Sequence, residues 1–150
     1  MMPPNKTNNA KKQEENCTSI FRNIMHLKHK LNGVASHIAS SLDLRVSEMA
    51  IIDTLGKYGP LTMSNLATAC FFSPPNATYT VRALEKRKLL VRNRCADSQR
   101  VVRVQLTAAG EKVFRNSYPK TIQAVTTFLA VRLDETERSN LEKLLNKLVQ

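Results

Sequence analysis

Nowhere in the chain do about 18 apolar residues run together, so no membrane-crossing helix is expected. The opening stretch, MMPPNKTNNAKKQEEN, holds no apolar core from which a signal peptide could be built. A soluble, cytoplasmic protein is the expectation. Cysteine is scarce: Cys17, Cys70 and Cys95 stand far apart, odd in number and without CxxC spacing. That pattern argues against a disulfide framework and against a zinc knuckle. The residue patterns of common enzymes are missing too. There is no phosphate-binding glycine loop, no GxSxG and no HExxH. No enzyme and no cofactor is therefore expected.

Acidic residues are the most informative shortage. Twelve of them face 23 lysines and arginines, leaving a formal charge of +11 over 150 residues. A surplus of this size implies a polyanionic partner. It is also concentrated: residues 74–107 hold eight basic side chains against only Glu85 and Asp97.

The length suits one domain with a tail. Residues 1–15 are polar, contain two prolines and lack periodicity, and are expected to be a disordered tail. From Ile20 to Leu42 apolar residues recur every three or four positions, which predicts a long amphipathic helix with Gly33 as a candidate bend. A second helix is expected over SEMAIIDTLGKYG, with Met49, Ile52 and Leu55 inward and Gly56 near its end. After an extended GPLT comes a third helix, capped by Thr62. A fourth runs from about Pro74 to Arg87. The strands LLVRNR and RVVRVQL flank the turn CADSQ, with Val102, Val104 and Leu106 inward. A helix over about 108–130 carries Pro119 as a candidate kink. The last opens on Asp134 and Glu137 as a capping box and buries Leu141, Leu144, Leu145 and Leu148.

The pattern is mainly α with one small β-hairpin: a helix-turn-helix with a wing over residues 44–107, between helical segments at 16–43 and 108–150. The apolar stripes of those outer segments exceed what so small a centre can cover. Burial against a second copy is the simplest solution, so they form the expected dimerisation region.

On the fourth helix, Ala77, Val81 and Leu84 share one face, the expected core side. Pro75, Thr78, Tyr79, Arg82 and Lys86 share the other, which offers hydroxyl, phenol, guanidinium and ammonium groups and no carboxylate. Those groups can meet base edges and phosphates in a major groove of double-stranded DNA. Ser73 suits the N-cap because the residue before proline is pushed to extended geometry. Pro74 and Pro75 occupy positions whose amides have no helical partner, and Asn76 supplies the first free N–H.

In order and spacing, LRVSEMAIIDTL, GPLTMSNLATAC, SPPNATYTVRALEKRKLLVR and DSQRVVRVQLTAAG resemble the MarR family of winged-helix transcription regulators. The resemblance runs from about Leu44 to Gly110. It implies a homodimer on a palindromic operator, most often a repressor, with recognition helices in major grooves and wings at adjacent minor grooves. Arg94 and Arg100 then become the wing-tip candidates for a narrow minor groove, and Arg92 and Arg103 backbone contacts. A small aromatic acid or phenol is implied between the dimer helices and the DNA-binding lobe, where His37, Ser40, Ser41 and Arg45 stand; Arg45 paired with Glu48 or a phosphate is an equal reading. Two positions depart from the family pattern. Lys88 replaces a glycine after the LEK-x end, so a differently built turn is expected there. Ser98, with Asp97 before it, replaces an aspartate that braces wing arginines. Cys17 lies where peroxide-sensing relatives keep a cysteine, but without the tyrosines that accompany it there. No metal is expected at His26, His29 and His37, which have no flanking carboxylate cluster. The rival reading is a basic architectural or RNA-binding protein that uses this fold without sequence choice.

Overall fold

The computed structural model describes residues 6–95 and 98–149. They form two compact units that part between Val34 and Ala35. The elements are α1 (Lys6–Ser41), α2 (Val46–Tyr58), β1 (Leu61–Thr62), α3 (Met63–Ala69), α4 (Pro74–Lys86), β2 (Leu90–Cys95), β3 (Ser98–Leu106), α5 (Ala108–Ala130) and α6 (Glu135–Val149). Three antiparallel strands lie in the order β1-β3-β2. Among the described residues no helix is long and apolar enough to cross a membrane.

The first unit holds α1 as far as Val34, and the helix starts at Lys6. Residues 6–15 are therefore helical, which corrects the expected tail. Their helix rests on propensity rather than on an apolar face, since Ala10 to Glu15 are all good helix formers. Further along, Ile20, Phe21, Ile24 and Met25 are exposed.

The second unit packs around Ile51, Ile52, Leu66, Val81, Leu84 and Val104, each wholly buried. Met49 and Leu55 join them, as α2's periodicity requires. Gly56 lies near the end of α2, as expected, two residues before its last residue, Tyr58. It is glycine because any β-carbon there would strike the ring of Phe114 on α5. Asp53 tightens the same contact. Its carboxylate accepts hydrogen bonds from Ser117 Oγ at 2.6 Å and Thr121 Oγ1 at 3.5 Å. Burial pushes the Asp53 carboxyl above its ordinary range, and the two hydroxyls oppose that rise.

The LTAAG segment closes the hairpin onto the core. Thr107 Oγ1 donates to the Lys88 carbonyl at 2.7 Å and accepts from the Gly110 amide at 3.1 Å, capping α5. Gly110 must lack a side chain because one would collide with the Leu89 carbonyl. The other caps follow sequence expectation. Thr62 Oγ1 accepts from Asn65 N, and Asp134 and Glu137 form their reciprocal pair at 2.8 and 2.9 Å.

Three helix ends close in one way, none of them on glycine. After α4, Lys88 N donates to Glu85 O at 2.9 Å and Leu89 N to Leu84 O at 3.0 Å, with Lys88 at φ 58°. This is a Schellman cap with lysine in the left-handed position. The turn at Lys88 thus has the geometry a glycine would give it, contrary to the expectation of a different build. Asp43 (φ 54°) after α1 and Phe71 (φ 56°) after α3 close their helices with the same two bonds. Left-handed geometry costs a non-glycine residue about 1–2 kcal/mol, and glycine offsets part of that through its larger unfolded-state entropy. Lys88→Gly is expected to gain about 0.5–1 kcal/mol, or roughly 1–4 °C in Tm by calorimetry.

Val104 is buried as expected, whereas Val102 is 39% exposed. β1 pairs only with Val104 and Arg103, so the hairpin beyond that point has no third strand to cover it. The leucines of α6, expected to be buried, are not buried by the described residues: Leu141 is half-buried, and Leu144, Leu145 and Leu148 are exposed, Leu144 and Leu148 at 62% and 69%.

Candidate nucleic-acid interface

α4 is positioned by its apolar side. Ala77, Val81 and Leu84 are fully buried, and Thr80, buried beside them, returns its hydroxyl to the Asn76 carbonyl at 2.9 Å. The opposite face is then presented outward. Pro75, Asn76, Tyr79, Arg82 and Lys86 are exposed, and Thr78 is half-buried. The one acid of the helix, Glu85, is half-buried and neutralised by Arg92 of β2, whose Nε lies 3.0 Å from its carboxylate. Among the described residues neither Arg82 nor Lys86 forms an ion pair. The exposed face of α4 therefore carries uncompensated positive charge.

Ser73 is extended, with φ −66° and ψ 148°, and holds the N-cap position with prolines at the next two. Its hydroxyl makes no capping bond. Pro75 removes one of the two amides such a bond could use, and the hydroxyl leaves the other, that of Asn76, unbonded, so Ser73 is exposed without a capping duty.

The hairpin adds a second basic element. Arg94 is exposed and pairs across the ladder with Val102, on the same face as Arg92. Arg103 is exposed and donates from Nη1 to the Pro60 carbonyl at 3.2 Å, tying β3 to the turn before β1. Arg100 belongs to β3, but its side chain, those of Cys95 and Ser98, and Asp97 altogether lie outside the described residues.

The four residues expected to hold a ligand are not brought together. Ser40 and Arg45 line a cleft of about 440 Å³ with Tyr79 and Arg87. His37 is exposed elsewhere on α1, and Ser41 spends its hydroxyl on the Ile38 carbonyl at 2.7 Å. Sequence reading missed the charge arrangement of this cleft. The buried Glu48 accepts from the Arg45 backbone N–H at 2.9 Å and from Arg87 at 3.4 Å, while Arg87 also reaches Asp43 at 3.2 Å. Thus it is Arg87 rather than Arg45 whose side chain answers Glu48. The Arg45 guanidinium lies 3.4 Å from the hydroxyl of Tyr79, so a residue of the α4 face touches the cleft. Cys70 is half-buried with its thiol on Thr54 Oγ1 at 3.3 Å, and burial pushes that thiol up, away from the reactive thiolate. Cys17 is exposed.

A helix pair, a third helix with an outward basic face and a basic hairpin, in this order, form a winged helix-turn-helix. The MarR family model matches residues 44–102. This stretch of the chain is similar to the MarR family. In structure the chain is similar to AbsC, a MarR family transcriptional regulator from Streptomyces coelicolor, with a TM-score of 0.78 and 20% identity over 88% of this chain and 90% of AbsC. Two proteins of Bacillus subtilis (strain 168) are similar in sequence. The uncharacterized HTH-type transcriptional regulator YfiV is 33% identical over 79 residues, 53% of this chain and 49% of its own. The uncharacterized HTH-type transcriptional regulator YpoP is 27% identical over 127 residues, 81% and 87% of the two chains. The match thus spans about half the length of YfiV. In structure the chain is similar to BpsR of Bordetella bronchiseptica, solved to explain how 6-hydroxynicotinic acid regulates its DNA binding. That pair has a TM-score of 0.77 and 17% identity, covering 88% of this chain and 99% of BpsR.

Proposed function

We propose that the protein is a DNA-binding transcriptional regulator that acts as a homodimer on a palindromic operator, in the role of a repressor. The observation that carries this reading is the exposed face of α4, where Asn76, Tyr79, Arg82 and Lys86 stand without an exposed carboxylate. Thr78, Tyr79 and Asn76 supply donors and acceptors for base edges, and Arg82 and Lys86 supply charge for phosphates or guanine. Ser73 and Pro75 sit where the helix tip enters the groove. Arg94, with Arg100, serves the minor groove from the wing, and Arg103 supports the wing from Pro60 while remaining near the backbone. The exposed apolar residues of α6, and separately those of α1, supply surface for a second copy.

A small aromatic acid is the proposed effector. Its carboxylate fits the Ser40–Arg45 cleft, because Arg45 forms no ion pair among the described residues and presents donors for a bidentate contact. The regulation of BpsR by 6-hydroxynicotinic acid supports that class of ligand. Through the Arg45–Tyr79 hydrogen bond such a ligand would act on the reading face of α4.

Salt dependence tests the DNA-binding reading. Arg94→Ala and Arg100→Ala are each expected to weaken binding to operator and random duplex about equally. The slope of log affinity against log salt should fall by about two per dimer for each change. An unchanged slope in both variants would contradict the wing assignment.

A further inference from the structure

Phe71 has no explanation in the packing of this protein. It lies in the turn between α3 and α4 and is 96% exposed, more than any other large apolar side chain among the described residues. Its backbone sits at φ 56°, a region that bulky side chains rarely occupy. The turn itself asks nothing of the ring. Its two closing bonds, Phe71 N to Thr68 O at 3.1 Å and Phe72 N to Ala67 O at 2.9 Å, are made by backbone alone. Glycine or asparagine would form them with less strain. The residue thus combines an unfavourable backbone with an aromatic surface left in water, and neither cost is recovered inside the chain.

The position says what recovers it. In a helix-turn-helix the first helix crosses the DNA backbone and the tip of the second enters the major groove. The turn between them therefore stands at the lip of that groove. Phe71 occurs two residues before the N-cap of α4, whose exposed side chains carry positive charge and no carboxylate. A duplex attracted to that charge meets the Phe71 ring at the groove edge. The apolar chemistry available there is the C5-methyl of thymine and the C–H face of deoxyribose. We propose that Phe71 is a further DNA contact, packing its ring on this apolar surface, with a thymine methyl as the specificity-setting partner. The inference rests on the DNA-binding reading above and extends it to a residue outside the α4 face.

The test uses the full chain and the best duplex that the wild-type protein selects from a randomised pool. Phe71→Asn keeps a residue that tolerates left-handed geometry and removes the ring. It is expected to melt at or above the wild-type temperature while binding the selected duplex roughly tenfold or more weakly. The slope of log affinity against log salt should stay unchanged, since the substitution removes no charge. Phe71→Trp, which keeps an aromatic face, should restore most of the binding. A role in the turn alone would lower stability and binding together, and that result would overturn the proposal. Replacing thymines of the selected site by uracil separates the two partners: a loss at one position in wild type but not in Phe71→Asn identifies the methyl, and an equal loss of all duplexes in Phe71→Asn identifies the sugar. A wild-type chain that selects no duplex overturns the DNA-binding reading and this contact with it. A wild-type chain that binds, with Phe71→Asn binding equally well, overturns the contact alone.

Discussion

Leu144→Asp combined with Leu148→Asp is expected to leave each chain folded and to abolish the dimer. In the single chain these leucines are 62% and 69% exposed, so their replacement removes little intrachain packing. If they form a shared core, four carboxylates per dimer would have to be buried without partners. A penalty of about 4 kcal/mol or more would raise the dimer dissociation constant by roughly three powers of ten. Sedimentation velocity at micromolar concentration should show a monomer with unchanged helical circular dichroism. DNA affinity should fall with it, since each half-site would then be bound alone. A double variant that still sediments as a folded dimer would show that α6 does not make the interface.

The second large effect is expected on the α4 face. Thr78→Val and Tyr79→Phe keep shape and remove only hydroxyls, and neither changes charge. Removing a hydrogen bond from either hydroxyl to a base edge costs about 1–3 kcal/mol of specific binding, and a symmetric dimer bears that cost twice. Affinity for random duplex should hardly change, because it comes from phosphate contacts. Tyr79 is 62% exposed, and its hydrogen bond to Arg45 is long and at the surface, so Tyr79→Phe should melt close to wild type. The same variant is also expected to weaken the response to an aromatic acid bound at Arg45, because the link between cleft and helix is gone. If both variants keep wild-type stability and wild-type preference for operator over random DNA, hydrogen bonding by this face is not how a site is chosen.

Much of this arrangement is legible in the residues because it depends on local rules. Helical spacing puts Ala77, Val81 and Leu84 on one side of α4, and burial of that side forces Tyr79, Arg82 and Lys86 outward. Thr62 and the Asp134–Glu137 pair mark helix starts by side-chain chemistry acting over three residues. Other features escape for physical reasons. The ends of α1, α3 and α4 close on Asp43, Phe71 and Lys88, so the usual glycine signal for a left-handed cap is missing at all three. Helix over residues 6–15 carries no apolar stripe, so periodicity cannot reveal it. The exposure of Val102 follows from the two-residue length of β1, which no local pattern in β3 records. The cleft's charge network joins residues 34 to 44 positions apart, Arg45 with Tyr79 and Arg87 with Glu48 and Asp43. Such pairs exist only once the helices have packed. Gly56 reads as a glycine near a helix end, which it is, but the reason for it is the ring of Phe114 on α5, far along the chain.

Whether the carboxylate-free face of α4 chooses a DNA sequence is tested most directly by the ratio of two affinities at one fixed salt concentration. One is that of wild-type protein for the best duplex selected from a randomised pool, and the other its affinity for random duplex of the same length. A sequence-reading helix predicts a ratio of about 10³ or more. A ratio near one would contradict that role, and would identify instead a basic protein that uses the winged-helix fold to hold nucleic acid without choosing among sequences.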